Sequence, residues 1–182
     1  MKENQRVRLT KQLLRDSLIG LLAGKNIHSI SVREICDTAE INRTTFYKYY
    51  GSQFDLLIDL ENTVLEQIEA CLTDKENQQT DDIRLLTQIT LFMEENLTLC
   101  RLLINNTVDS RFAERLLLLP KIQRLLGDQL LSEYQSDEIE YMYQFVVNGG
   151  FSMIKAWINK DVRETPEKIA GILLCSVSKI LE

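Results

Sequence analysis

The run Ser31-Val32-Arg33-Glu34-Ile35-Cys36-Asp37-Thr38-Ala39-Glu40-Ile41-Asn42-Arg43-Thr44-Thr45-Phe46-Tyr47-Lys48-Tyr49-Tyr50 constrains this chain more than any other segment. Ser31 with Glu34 three residues on is a capping box, which starts a first short helix. Ile35, Cys36 and Ala39 give that helix an apolar side, and Ala39 is small enough for a second helix to cross closely. Asn42 suits the N-cap of the second helix, where its side chain satisfies backbone N–H groups otherwise left orphaned. That helix exposes Arg43, Thr44, Thr45, Tyr47 and Lys48, while Phe46 and Tyr50, four residues apart, share the other face. Cations, hydroxyls and a phenol on one short helix suit phosphate anchoring and base-edge contact in a DNA groove. The pair reads as a helix-turn-helix.

Overall charge points the other way, and its distribution resolves the conflict. The net charge is −6, yet residues 1–50 hold nine Lys/Arg against five Asp/Glu, a local +4 that leaves −10 on the other 132. A basic amino-terminal module on an acidic body is the footprint of a modular DNA binder. Two prolines, seven glycines and no long alternating β-branched runs predict an all-α chain. The four cysteines are far apart, without a C-x-x-C, and there is one histidine, so no zinc pattern and no other metal or cofactor site is expected. Three of the four cysteines fall in apolar helical patterns and read as small core residues, with redox sensing as the other reading. No apolar stretch approaches 18 residues without charge, and no secretory leader is legible, so no membrane partner and a cytoplasmic location are expected.

Helical periodicity organises the rest. A first helix is predicted from about Val7 to Ala23 on Leu14, Leu18, Leu21 and Leu22, stopped by Gly24. Ser52 caps a helix to about Leu72, which can link a DNA-binding head (1–51) to a regulatory and dimerisation body (52–182). Thr73 to Asp82 reads as a polar loop, followed by helices over Asp82–Glu95 and about Thr98–Asn105. Pro120 should kink or split a helical region from Arg111 to Tyr134. A long helix is predicted from Ser136 to about Asn159, and Thr165-Pro166 should cap and open a last helix to about Leu181. The predicted architecture is a three-helix head followed by a helical bundle.

Thr45-Phe46-Tyr47-Lys48-Tyr49-Tyr50, then Ser52 and Asp55-Leu56-Leu57, resembles the signature of the TetR family of transcriptional regulators. The resemblance is strong over about residues 8 to 60. It extends loosely over the whole chain through length, helical pattern and the Gly-Gly…Trp…Pro layout near the C-terminus. Glu40 stands where the turn usually has Gly, Thr44 where Gly is frequent, and Gln53-Phe54 replaces a Lys-Glu-like pair. The resemblance implies a homodimer on a palindromic double-stranded operator, repression, and release by a small-molecule effector. It also implies a dimer interface on the last two long helices, where Gly149, Gly150, Met153 and Ile172 are expected members.

Among candidate contacts, Arg43 and Thr45 lead for bases, and Tyr47 and Lys48 for phosphates. Lys25 and Ser31, at helix ends flanking the motif, can grip the backbone; Phe46 reads as core, and Tyr49 and Tyr50 stay open between contact and core. His28 reads as a surface or packing residue. Phe92, Met93, Phe112, Tyr141, Met142, Tyr143, Phe145, Met153 and Trp157 are either bundle core or the lining of an apolar pocket. Gly149-Gly150 inside a helical run is costly, and close approach of another helix, within or between subunits, is the simplest compensation. Two other readings compete: a regulator answering to a protein partner, and a helical enzyme. Against the enzyme, the sequence has no paired acid and base, nucleophile elbow or phosphate-cradling glycine loop, so no catalytic residue is assigned.

Overall fold

The computed structural model describes residues 5–72, 82–106, 111–125 and 136–181. Every regular element among them is helical, as the scarcity of glycine, proline and alternating runs requires. The chain divides into two compact units, Met1–Val64 and Leu65–Glu182. The head–body division at 51/52 expected from the sequence falls ahead of the linking helix, whereas the two units divide inside it.

The first unit contains α1 (Gln5–Leu22), a 3-10 turn (Ile27–Ser29), α2 (Val32–Ala39), α3 (Arg43–Phe46) and the start of α4 (Gln53–Cys71). α1 buries Leu14, Leu18 and Leu22 of the stripe read from its periodicity, with Leu21 half-buried and Ser17, not part of that reading, buried beside them. Ser17 is tolerated there because its Oγ donates to the Ile35 carbonyl at 2.9 Å, joining α1 to α2. Leu56, Leu60 and Val64 continue the core from α4 at four-residue spacing. His28 is exposed, with its ring tilted 58° against Phe54 at a centroid distance of 5.2 Å, within the surface or packing role read for it.

The second unit takes the end of α4, then α5 (Asp82–Glu95), α6 (Leu97–Asn106), α7 (Arg111–Leu117), α8 (120–125), α9 (Ser136–Ile158) and α10 (Pro166–Leu181). α5 lies along α10, α6 against α9, and α9 also meets α10. The carboxyl end of α9 is held from α6: Arg101 Nε donates to the Ile158 carbonyl at 2.6 Å and Arg101 Nη2 to the Lys160 carbonyl at 3.0 Å. A guanidinium there satisfies carbonyls left without helical partners and meets the negative end of the helix dipole. Trp157 is buried and its Nε1 donates to the Glu164 carbonyl at 2.8 Å, fixing the turn into α10. Lys160 reaches back to Glu164 at 2.8 Å and holds that carboxyl below its usual range.

Apart from α3, read as helical to Tyr50 but α-helical only over Arg43–Phe46, and the region after Arg111, element ends agree with the sequence reading to within a residue or two, the normal fraying of helix termini. Of the two outcomes expected at Pro120, a kink or a split, the structure shows the split. The chain breaks at 118–119, and Pro120 is the first residue of α8, where its missing N–H costs nothing. The remainder of that predicted region, 126–134, and the predicted polar loop over 73–81 lie outside the described residues. Among the described residues no helix is long and apolar enough to cross a membrane.

Candidate nucleic-acid interface and apolar cavity

The capping box that starts α2 is complete. Ser31 Oγ accepts from the Glu34 N–H at 3.2 Å, and Glu34 Oε2 accepts from the Ser31 N–H at 2.9 Å. Lys25 closes on the other carboxylate oxygen at 2.5 Å. That ammonium, followed by the Ser31 donors, lowers the Glu34 carboxyl to about 2. Lys25 and Ser31, expected to grip phosphates, are thus engaged with Glu34 in the free protein. They can turn to DNA only by sharing or leaving that carboxylate.

α2 ends on Glu40, whose φ of 54° and ψ of 36° are left-handed. It is the one non-glycine with positive φ among the described residues. The Ile41 N–H donates to the Cys36 carbonyl at 2.9 Å, which caps the helix and turns the chain sharply toward α3. An L residue pays for that torsion with a clash of its Cβ, about 1 kcal/mol or more, against which glycine's extra unfolded-state freedom weighs roughly 0.5–1 kcal/mol. Glu40→Gly is therefore expected to leave stability unchanged or raise it by up to about 1 kcal/mol, and Glu40→Val to lower it. Urea titrations of the three proteins check this; a clearly less stable Gly variant contradicts it.

Asn42 Oδ1 accepts from the Thr44 N–H at 2.8 Å and opens α3. The α-helix proper is short, but N–H bonds from Lys48 to Thr45, Tyr49 to Phe46 and Tyr50 to Phe46 continue the coil to Tyr50. Arg43, Thr44, Tyr47 and Lys48 are exposed, Thr45 and Tyr49 half-buried, and Phe46 and Tyr50 buried. The two faces read from the sequence are both present, except that Thr45, expected on the exposed one as a leading base contact, is half-buried.

Phe46 is fully buried, with its ring edge-on to Tyr47 at 5.5 Å and tilted against Tyr50 at 5.6 Å. Tyr50 resolves as core rather than contact: its hydroxyl donates to Asp59 Oδ2 on α4 at 2.8 Å. Arg15 of α1 lies 3.7 Å from the same oxygen and also donates to Thr63 Oγ1. This network ties the exposed arc to α1 and α4, and no local pattern marks Asp59, Arg15 or Thr63 as its members. The only sequence signal is a cation at Arg15 beside the core position Leu14.

The second unit contains a cavity of about 100 Å³ between α5, α7, α8, α9 and α10. Of the residues expected to line a pocket, it brings in Met93 alone. Phe92, Phe112 and Trp157 are buried away from it, and Tyr141 and Phe145, 78% and 61% exposed, sit on the outer surface of α9. Met153 is half-buried and also not part of the lining. The walls come mostly from aliphatic positions such as Ile122, Val146, Ile154 and Leu173, with Gly150 and the ring of Phe151, which the sequence reading missed, among them.

Gly149 and Gly150 therefore face different surroundings. Gly149 is exposed on α9 and Gly150 opens onto the cavity, and a Cβ added at either meets no heavy atom within 4 Å. Close packing within the subunit does not account for either glycine. Ile172 is 40% exposed on α10. Of the cysteines expected in the core, Cys36 and Cys100 are buried, and burial pushes the Cys100 thiol up to about 12; Cys71 and Cys175 are exposed. Among the described residues no group of three His, Cys, Asp or Glu side chains is placed to hold a metal ion.

A TetR family model described as a transcriptional regulator C-terminal region matches residues 80–178. No curated protein matches the chain. A solved TetR transcriptional regulator from Streptococcus agalactiae is 22% identical, with a TM-score of 0.72 over 98% of this chain and 96% of that one. The fatty acid degradation regulator FadR from Bacillus halodurans is 16% identical, with a TM-score of 0.63 over 100% and 96%. The dihydroxyacetone kinase operon activator DhaS is 20% identical, with a TM-score of 0.57 over 94% and 96%. At these identities the likeness is one of fold. The family match spans more than half of the chain, behind a helix-turn-helix and the linking helix α4, and the chain belongs to the TetR family of transcriptional regulators.

Proposed function

We propose that this regulator is a homodimeric, cytoplasmic repressor, without catalytic activity, that binds a palindromic operator through α2 and α3 and leaves it when a small-molecule effector enters the body. The observation that carries the reading is the exposed arc of Arg43, Thr44, Tyr47 and Lys48, held rigid by buried Phe46 and the Tyr50–Asp59 bond. A twofold dimer would present two such arcs to half-sites about 34–36 Å apart. Tyr141, Phe145 and Ile172 give α9 and α10 an exposed apolar face that supports dimerisation there. The effector must favour the conformation with wrongly spaced heads, because equal binding to both states shifts nothing.

Paired substitutions test the interface. Arg43→Ala is expected to relax operator preference at a cost of about 1–3 kcal/mol, the loss of a base contact. Lys48→Ala is expected to weaken all sequences alike and to reduce the salt slope of binding by about 1. Fluorescence anisotropy against operator and scrambled duplexes over a salt series reads both. Unchanged affinity in both variants defeats the assignment of this arc. DhaS is an operon activator on a similar fold, so activation is the second reading; a promoter reporter with and without the regulator separates the two signs.

A further inference from the structure

We infer that the body cavity takes an uncharged molecule with a hydrocarbon surface, about the size of one aromatic ring, and that Gly150 is the residue that keeps room for it. This rests on the effector reading for its regulatory consequence only. None of the described lining residues is charged, and the one polar side chain among them is Thr90. Its Oγ1 lies 3.0 Å from the carbonyl oxygens of Leu86, Thr87 and Pro166, so its single proton already has protein acceptors. A carboxylate entering here would find no cation among those residues, and an ammonium no carboxylate. Unpaired burial of either charge is far costlier than ring contacts repay.

Water fares little better. An ordered water needs two to four polar partners, which these walls do not offer, so the space suits apolar contact rather than fixed water. Its volume of about 100 Å³ is of the order of apolar protein cavities that accept benzene or xenon.

Gly150 lies in α9, where glycine is a poor helix former and alanine would be better. Its α9 neighbours Val146, Val147 and Ile154 line the cavity with it. A Cβ at this position has no atom within 4 Å, so packing does not forbid a side chain. What the glycine preserves is empty volume.

The test titrates the full-length protein with benzene, benzoate and benzylammonium by calorimetry and thermal melting. Benzene is expected to bind with a negative heat-capacity change and to raise Tm with concentration. Benzoate and benzylammonium should bind about a hundredfold or more weakly. Gly150→Val should lower benzene affinity at least about tenfold, and Gly150→Ala, a gentler filling that favours the helix, should lower it less. Charged analogues binding as tightly as benzene, no benzene binding to folded wild type, or affinity untouched by both fillings would each overturn the inference. Operator titration at saturating benzene is a separate arm. A probe that binds in a Gly150-sensitive way but leaves operator affinity unchanged sinks effector release and leaves the ligand class standing.

Discussion

Phe46→Ala is expected to abolish operator binding by unfolding the first unit. The ring is fully buried and contacts Tyr47 and Tyr50, so its removal leaves a cavity directly beneath the exposed arc. Phe-to-Ala changes in cores cost about 3–5 kcal/mol. A unit of 64 residues has only roughly 3–10 kcal/mol in total at typical stability per residue. The substitution thus removes most of what holds α2 and α3 in place. Hydrogen exchange on the full chain checks it: amides such as Ile35 and Tyr50 should lose protection while those of α5 and α10 keep it. A protected head that still binds operator would show that Phe46 is not the keystone of this core.

The exchange experiment also separates what was legible in the sequence from what was not. Capping chemistry is local, so Ser31 with Glu34, Asn42, and Thr165 before Pro166 mark their helix starts within a few residues. Glu40 was legible as a departure because a sharp turn there needs positive φ whatever residue occupies it. Lys25 was not legible as the partner of Glu34, nor Tyr50 as the partner of Asp59, since these pairs form only when separate elements meet.

The cavity failed to show for a different reason. Large rings draw attention in a sequence, but Phe112 and Trp157 fill space, and the void is lined mainly by aliphatic side chains and a glycine, with Phe151 the one ring beside it. Periodicity reports which face is buried, never whether that face is full. Pro120 was ambiguous for the same lack of context: the residue that breaks a helix interior is also a favoured first residue of the next.

Gly149→Leu is expected to dissociate the proposed dimer and with it to release DNA, while the subunit stays folded. In the subunit a Cβ at this position meets nothing within 4 Å, and replacing glycine inside α9 favours the helix by about 1 kcal/mol. The subunit has room for a Cβ here, so a dimer lost with helical content unchanged is assigned to the contact between subunits. Gly149 shares the exposed side of α9 with Tyr141 and Phe145, the face proposed to meet its twofold mate. A leucine there forces the helices apart, and overpacking costs about 1–3 kcal/mol at each of two symmetric positions. The dimer dissociation constant should rise by a factor of about 30 to 20,000 at about 1.4 kcal/mol per decade. Operator affinity should fall with it, since a single head loses the second half-site. Analytical ultracentrifugation beside an operator titration, with circular dichroism as the folding control, reads all three quantities on one preparation. A folded Gly149→Leu protein that remains dimeric and binds normally would move the interface off this face of α9.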